Sequence, residues 1–198
     1  MEPKDIAKSY DIIADRWLET RLNSSGMEQH RRALRFCDSG GLALDVGCGC
    51  NGRFIRLLKD HNFEPEGLDI STRMLELAKA REPSVKYHHA DVCSWQPDKK
   101  YDFITAWDSI WHVPLDHNAK VLSKLLGALA KGGVMIWTSG GLPAEDEKQD
   151  AAMGVPLYYS TIGTNRTLEL IAESGCVCCH LEFDQFPEKH IFFIVQRV

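Results

Sequence analysis

The stretch Leu44-Asp45-Val46-Gly47-Cys48-Gly49-Cys50-Asn51-Gly52 decides the fold of this 198-residue chain. A predicted strand over residues 42–46, apolar apart from Asp45, leads into a turn with the spacing Gly-x-Gly-x-x-Gly, and a segment with helical periodicity follows it. Glycines allow a sharp turn and a close approach of the backbone to a ligand, and the free amides at a helix start attract negative charge. Taken alone, this turn is a weak signal, and it also fits a dinucleotide site.

Short apolar runs alternate with helix-periodic stretches after this turn, which predicts a parallel α/β sheet. Further predicted strands are residues 66–70, 85–90, 103–107, 134–138, 176–184 and 190–197. The last two strands are joined by a short link, so they are expected to pair antiparallel.

Three other segments carry structural expectations. Residues 1–37 are predicted to be helical and amphipathic, with Ile6, Tyr10, Ile13 and Trp17 on one stripe, before Ser39-Gly40-Gly41 ends the pattern. A helix capped by Asp116 is expected to stop at residues 131–133, where a lysine precedes two glycines. The stretch 139–161 shows no periodicity and is expected to be an irregular loop with a solvated acidic run.

Composition sets further bounds. The length fits one domain over residues 1–198, and the formal net charge of −5 gives no support for a phosphate-binding surface. No secretory apolar region and no run long enough to cross a bilayer is present, so a cytoplasmic location is expected. The seven cysteines are then expected to be reduced thiols. Cys176 and Cys179 lack a second pair at zinc spacing, so no metal site is predicted.

Acidic residues stand at the ends of the first three predicted strands, at Asp45, Asp69 and Asp91. Because the carboxyl ends of parallel strands meet at one edge of a sheet, these residues are expected to line one crevice. Asp69 is placed to accept ribose hydroxyls, Asp91 to reach an adenine edge, and Asp45 to suit a positively charged amine. Asp45 and the absence of any Tyr-x-x-x-Lys pair disfavour a nicotinamide dehydrogenase.

Several motifs resemble, in order, those of class I S-adenosylmethionine-dependent methyltransferases. They are residues 44–49, Gly67-Leu68-Asp69-Ile70-Ser71, Ala90-Asp91-Val92, Tyr101-Asp102-Phe103-Ile104 and Leu129-Ala130-Lys131-Gly132-Gly133. Tyr10-Asp11 with Ala14 and Trp17 is similar to the N-terminal helix of many small-molecule members. The resemblance implies a Rossmann-like three-layer sandwich with a seven-stranded, mostly parallel sheet and an antiparallel last strand. Residues 1–40 would form lid helices, and S-adenosylmethionine would be the cofactor, with S-adenosylhomocysteine (SAH) as its product.

The resemblance also assigns roles to single residues. Gly47 and Gly49, with Cys48 in the same turn, would contact the methionine part of the cofactor, and Asp69 would bind the ribose. Asp91 and Val92 would hold the adenine, and Ile70 would pack on its face. Ala106 and Trp107 would lie beside the methionine tail, and Tyr10 would close the lid. His112 and Asp108 follow the fourth strand and are candidate bases. Trp111, Tyr158 and Tyr159 are candidates for an acceptor pocket or its cover. Packing roles for His112 and these aromatic residues stay open.

Three functions therefore remain open. The favoured one is methyl transfer to a small molecule, without a role for a membrane. A methyltransferase acting on RNA or protein is disfavoured, because Thr105-Ala106-Trp107-Asp108 differs from the Asn-Pro-Pro-Tyr type and no Pro-Cys pair exists. A non-catalytic protein that binds the cofactor is the third. The sequence leaves the acceptor and the oligomeric state open.

Overall fold

The computed structural model describes residues 1–19, 25–38 and 40–198. The strands, in chain order, are β1 (Gly41–Val46), β2 (Phe63–Asp69), β3 (Lys86–His89), β4 (Tyr101–Ala106), β5 (Leu129–Gly140), β6 (Asp146–Asp150), β7 (Leu157–Thr161), β8 (Cys176–Glu182) and β9 (His190–Arg197). The helices are α1 (Pro3–Glu19), α2 (Met27–Ala33), α3 (Arg53–Asp60), α4 (Thr72–Arg81), α5 (Leu115–Gly127) and α6 (Thr164–Glu173), with short 3₁₀ turns at Leu34–Phe36 and Ile110–His112.

Seven of the strands form one sheet in the order β3-β2-β1-β4-β5-β9-β8. Strands β1 to β5 run parallel, whereas β9 runs antiparallel to both β5 and β8. The predicted mostly parallel sheet with an antiparallel C-terminal strand is thus confirmed. The order reverses at β1 and β4, which in α/β sheets is the place where a crevice opens at the carboxyl ends of the strands.

Helices cover both faces of the sheet, which confirms the three-layer arrangement. Ala43 and Leu44 are neighbours on β1, both fully buried, and their side chains alternate between the two faces. Ala43 belongs to a core with Phe54 and Leu58 of α3. Leu44 belongs to the other core, with residues of α5 such as Leu125. Because a strand that is buried on both faces is mostly apolar, β1 could be predicted from its sequence.

The N-terminal segment is divided into two helices. On α1 the predicted stripe is the covered face, with Ile6 and Ile13 buried and Tyr10 and Trp17 packed beside them. The helical structure predicted over residues 1–37 is present as α1, α2 and a 3₁₀ turn, and residues 20–24 and Ser39 lie outside the described residues. None of the helices in the described ranges is long and apolar enough to cross a membrane.

The expectation of an irregular loop over residues 139–161 is wrong. Strands β6 and β7 form an antiparallel hairpin, in register from Asp146 opposite Thr161 to Asp150 opposite Leu157. Strand β6 consists of polar residues that are almost all exposed, so it lacks the alternation that reveals a half-buried strand. The acidic run is solvated, as expected.

Both predicted ends of α5 are also wrong. The helix begins at Leu115 behind Pro114, which has extended backbone angles, and Asp116 makes no capping hydrogen bond. It ends at Gly127, and β5 starts at Leu129, where the pairing with β4 shifts register between Leu129 and Val134. The lysine and glycines at 131–133 therefore lie in an irregular part of a strand instead of a helix end.

A buried carboxylate links three neighbouring strands of the sheet, β2, β3 and β4, through its hydrogen bonds. Glu66 of β2 has a side chain only 10% exposed, and it accepts hydrogen bonds from Lys99 Nζ at 2.6 Å, His88 Nε2 at 2.8 Å and Tyr101 Oη at 3.3 Å. Burial favours the neutral acid, but the hydrogen bonds from Lys99 and His88 outweigh it and lower the pKa of Glu66 to about 2.

We predict that Glu66→Gln lowers the free energy of unfolding by roughly 1.5–3 kcal/mol at pH 7, because it removes hydrogen bonds to a charged group. The folded-state pKa lies below the ordinary value of 4.5. The ionised side chain therefore stabilises fully above that value, and its contribution is lost as the pH falls toward about 2.

Urea unfolding of wild type and variant between pH 7 and pH 3 measures this difference. Glu64→Gln on the exposed side of the same strand is the matched control and should change the free energy by less than about 0.5 kcal/mol. A Glu66→Gln effect that stays constant over the whole pH range would contradict the assignment.

Candidate active site

The glycine turn after β1 forms the floor of the site. Gly47, Gly49 and Gly52 have φ angles of 69°, 58° and 65°, a left-handed region that side chains disfavour. The amides of Gly47 and Cys48 donate to the carbonyl of Leu68 on β2, at 2.7 and 3.1 Å. A Cβ on Gly47 would come within 2.3 Å of Ser109 Cβ, so the turn also packs against the chain that leaves β4.

A cleft with an empty volume of about 960 Å³ opens above this turn. Most of the residues predicted from the sequence line it: Tyr10, Gly47, Cys48, Gly49, Asp69, Ile70, Asp91, Val92, Trp107, Asp108 and His112. They come from α1, the glycine turn and the carboxyl ends of β2, β3 and β4, which the fold brings to one edge of the sheet.

Five predicted residues lie outside the wall of this cleft: Asp45, Ala106, Trp111, Tyr158 and Tyr159. Asp45 is buried at the end of β1, and burial raises its pKa to about 7, against the effect of Arg53. Ala106 is fully buried in the core beside α5. The three aromatic residues lie behind His112, where Trp111 and Tyr159 contact its ring edge-on or tilted.

Asp69 is held at the end of β2 by two backbone amides. Its Oδ2 accepts from Gly49 N at 2.8 Å, and its Oδ1 accepts from Ser71 N at 2.9 Å. Burial raises its pKa, and these hydrogen bonds oppose the shift. A carboxylate offers about four acceptor positions, so these bonds leave acceptor capacity for a ligand. A Cβ built on Gly49 would meet no atom within 4 Å, which leaves space beside this carboxylate.

The wall after β3 is fixed by its own hydrogen bonds. Asp91 Oδ1 accepts from the amide of Cys93 at 2.8 Å. Lys124 of α5 donates to the carbonyls of Val92, Cys93 and Trp95. The turn that carries Asp91 and Val92 is therefore rigidly attached to the helix beneath the cleft.

His112 connects the lid helix to the cleft wall. Its Nδ1 lies 2.6 Å from the carbonyl oxygen of Tyr158, which only accepts, so Nδ1 carries the hydrogen. Nε2 then accepts from Tyr10 Oη at 2.7 Å and from Trp111 Nε1 at 3.0 Å. Burial lowers the pKa of His112 to about 4, so the ring is neutral at neutral pH. In this arrangement Nε2 is already engaged as an acceptor.

A second polar chain was missed by the sequence reasoning. Asp108, at φ 52°, accepts at Oδ1 from His190 Nε2 at 3.1 Å and from Thr138 Oγ1 at 3.3 Å. His190 Nδ1 donates to Asp184 Oδ1 at 2.5 Å, and Gln29 donates to the other oxygen of Asp184 at 2.9 Å. No local pattern marks His190 or Asp184, because they are far from Asp108 in the chain.

One further wall residue was missed, and one predicted wall residue has a polar atom without a partner. Arg53, the first residue of α3, lines the cleft and donates from Nε to the carbonyl of Ser25 at 3.0 Å. Trp107 lines the cleft as well, and its buried Nε1–H has no acceptor among the described residues. The helix start and the glycine motif indicate that Arg53 lies near the site, although its side-chain direction depends on packing.

We predict that Gly47→Ala destabilises the protein by at least about 1–2 kcal/mol, since a left-handed alanine alone costs that much and the contact with Ser109 adds to it. Gly127→Ala at the end of α5 is the control, because its Cβ would meet nothing and alanine favours helix. Thermal unfolding should therefore shift down for the first variant and stay equal or rise for the second. Equal melting temperatures for Gly47→Ala and wild type would contradict the packing of the turn.

The neutral state of His112 predicts acid sensitivity. Its pKa falls from 6.5 in the unfolded chain to about 4 in the fold, so its neutral form stabilises fully above pH 6.5 and the contribution declines as the pH drops toward 4. The loss should reach about 3 kcal/mol, from 1.36 kcal/mol per pKa unit. His112→Asn should flatten this part of the pH dependence in urea unfolding, whereas His117→Asn, at a half-exposed position on α5, should not. Parallel curves for wild type and His112→Asn would refute the prediction.

Comparison with known proteins agrees with this geometry. Residues 43–133 match the profile of a methyltransferase domain family. Over 95 residues the chain is 40% identical to trans-aconitate 2-methyltransferase from Methylobacterium radiotolerans, covering 48% of this chain and 36% of that protein. Over 117 residues it is 29% identical to dTDP-3-amino-3,6-dideoxy-α-D-glucopyranose N,N-dimethyltransferase from Streptomyces fradiae, covering 55% and 42%. The chain thus spans less than half the length of these curated relatives.

The similarity in fold covers more of the chain than the similarity in sequence does. The solved structure of the DhpI–SAH complex superposes with a TM-score of 0.73 at 18% identity, covering 98% of this chain and 96% of that one. Residues 43–133 therefore resemble a methyltransferase domain, and the fold shared with the solved structure extends over nearly the whole chain.

Proposed function

We propose that this chain transfers a methyl group from S-adenosylmethionine to a small-molecule acceptor in the cleft. The observation that carries the proposal is the carboxylate of Asp69, hydrogen-bonded to Gly49 beside space that no side chain fills. An acid at the end of the second strand, next to a glycine turn, suits the two hydroxyls of a ribose. The domain match over residues 43–133 supports the same cofactor.

The remaining walls fit the rest of an adenosylmethionine molecule. Asp91, Val92 and Ile70 would hold the adenine, and the turn at Gly47 and Cys48 would follow the methionine chain. At the other end, the unpaired Trp107 Nε1–H and the guanidinium of Arg53 supply donors for the methionine carboxylate. Asp45 lies behind the turn, where it would act on the amine only through its charge.

The lid in this proposal is α1, the first helix of the 1–40 segment. Asp11 Oδ1 accepts from Ser71 Oγ at 2.6 Å and from Arg73 N at 3.0 Å at the start of α4. Ser9 Oγ donates to the carbonyl of Pro156 at 2.7 Å on the other side. With Tyr10 bonded to His112, these contacts hold α1 over the cleft and exclude water from it.

The bound cofactor supplies a methyl carbon made electrophilic by the positively charged sulfur. The chain contributes orientation and a dry cavity, which supply most of the acceleration in such displacements. If the acceptor must lose a proton, Asp108 and His112 are the proposed bases. Asp108 Oδ2 receives no hydrogen bond from the described residues, whereas His112 must first release Tyr10 and Trp111.

A small acceptor and a cytoplasmic location fit the rest of the chain. A cleft beneath a hydrogen-bonded helix admits a small molecule more readily than an RNA or protein segment, and a net charge of −5 does not favour RNA. All seven cysteines are unpaired, which supports a reducing compartment. Trp111, Tyr158 and Tyr159 would support the acceptor pocket from behind His112.

We predict that Asp69→Ala weakens the binding of S-adenosylmethionine and SAH at least tenfold, because hydrogen bonds to a charged group contribute roughly 1.5–3 kcal/mol each. Calorimetric titration of wild type and variant measures the change. Asp60→Ala, an exposed acid at the end of α3, is the control and should bind as the wild type does. Unchanged affinity of Asp69→Ala, or binding of NADH in place of SAH, would refute the proposed site.

A further inference from the structure

We propose that the methyl acceptor carries an amine, that this amine lies against the Asp108 carboxylate, and that His190 and Asp184 position this carboxylate. The inference rests on the proposed methyltransferase function and names the substrate class of the same cleft. It is carried by the buried hydrogen-bonded chain that ends at the cleft wall.

The geometry leaves one oxygen of Asp108 for a ligand. Both Thr138 and His190 donate to Oδ1, and the described residues give Oδ2 no hydrogen bond. Asp108 is among the residues that line the cleft, with a side chain 27% exposed, whereas His190 and Asp184 are only 8% and 7% exposed. The two buried groups therefore fix the carboxylate plane and direct its unused oxygen toward the cleft.

The hydrogen-bonded group formed by Asp108, His190 and Asp184 has a net negative charge. Burial lowers the pKa of His190, but its hydrogen bonds to Asp108 and Asp184 outweigh burial and raise it. Because both ring nitrogens of His190 donate to carboxylates, the ring is protonated, and two carboxylates with one imidazolium give a net charge of −1. Asp184 therefore offsets the positive charge that would otherwise neutralise Asp108. A cationic or electron-rich nitrogen matches this site, and a carboxylate does not.

The other charged residues of the cleft point the same way. Among the described residues that line it, Arg53 is the one lysine or arginine, against Asp69, Asp91 and Asp108. Its guanidinium lies at the start of α3, where it would pair with the carboxylate of the cofactor's methionine part. An acidic acceptor would then meet Asp108 without a compensating cation, whereas an amine gains a partner.

The carboxylate also suits the charge that develops during transfer. The nitrogen lone pair forms the new N–C bond while the S–C bond breaks and leaves its electron pair on sulfur. Positive charge thereby passes from sulfur to nitrogen. A neutral amine needs no proton removed first, whereas an ammonium first gives one proton to Asp108 Oδ2, which frees the lone pair. A fixed carboxylate beside the nitrogen stabilises this developing charge without reorganising, since its hydrogen bonds are already in place.

The first experiment compares acceptors with wild-type protein. SAH binding by calorimetry comes first, and radiolabelled methyl transfer is then measured with ethanolamine, tyramine and an aminohexose beside ethylene glycol, 4-hydroxyphenylacetate, a hexose and trans-aconitate. We expect label only in the amines. Transfer confined to hydroxyl or carboxylate compounds, or SAH binding without transfer to any amine, overturns the inference. Failure of SAH to bind overturns the proposed function itself.

The second experiment tests the roles of single residues. Asp108→Asn should lower kcat/KM for the amine at least thirtyfold while SAH affinity changes less than threefold, and Asp98→Asn, on an exposed loop, should leave both unchanged. His190→Ala should lower kcat/KM about tenfold, and His190→Gln should restore most of it, because glutamine still donates to Oδ1. Asp184→Asn should move the pKa of the His190 ring downward in NMR titration.

These outcomes separate positioning from a purely structural role. An equal loss in His190→Ala and His190→Gln at unchanged SAH affinity contradicts positioning by a hydrogen bond. An Asp108→Asn variant with unaltered amine kinetics contradicts the amine site. A His190 pKa that is indifferent to Asp184→Asn contradicts the linked chain.

Discussion

The carboxylate of Asp69 is the contact on which the site depends, because it joins three separate parts of the chain. It accepts the amides of Gly49 and Ser71, at 2.8 and 2.9 Å, and so fixes the glycine turn to the end of β2 and to the start of α4. Ser71 in turn caps α4 through Met74 N and donates to Asp11 of the lid helix. A buried carboxylate costs free energy unless it is hydrogen-bonded, and here these hydrogen bonds set the shape of the cleft floor.

Two buried histidines near the other end of the cleft show how partners decide the charge of the same side chain. His112 is bonded to Tyr10 and to a carbonyl, neutral groups that do not offset burial, and its pKa falls to about 4. His190 lies between Asp108 and Asp184, and their hydrogen bonds outweigh burial and raise its pKa. The first is a neutral link between lid and wall, and the second orients a carboxylate toward the cleft.

Burial made some strands easier to predict from the sequence than others. Strand β1 is covered on both faces, so its residues from Leu42 to Val46 are apolar apart from Asp45. Strand β6 is exposed and pairs only with β7, so its polar residues carried no signal. The start of β5 was assigned to a helix, since Leu129 and the following glycines also fit a helix end. Only pairing with β4 distinguishes the two, and pairing is not a local property.

The sequence by itself determined the glycine turn, the acid at Asp69, the order of the elements and hence the edge of the sheet where the cleft opens. These features depend on local periodicity and turn chemistry, which neighbouring residues encode. Only the tertiary structure brought His190 and Asp184 to Asp108, because the antiparallel register of β9 on β5 sets His190 opposite Gly140, two residues beyond Thr138, which binds Asp108. The physical reason is that contacts between residues 82 positions apart follow from sheet register and packing, which no local pattern specifies.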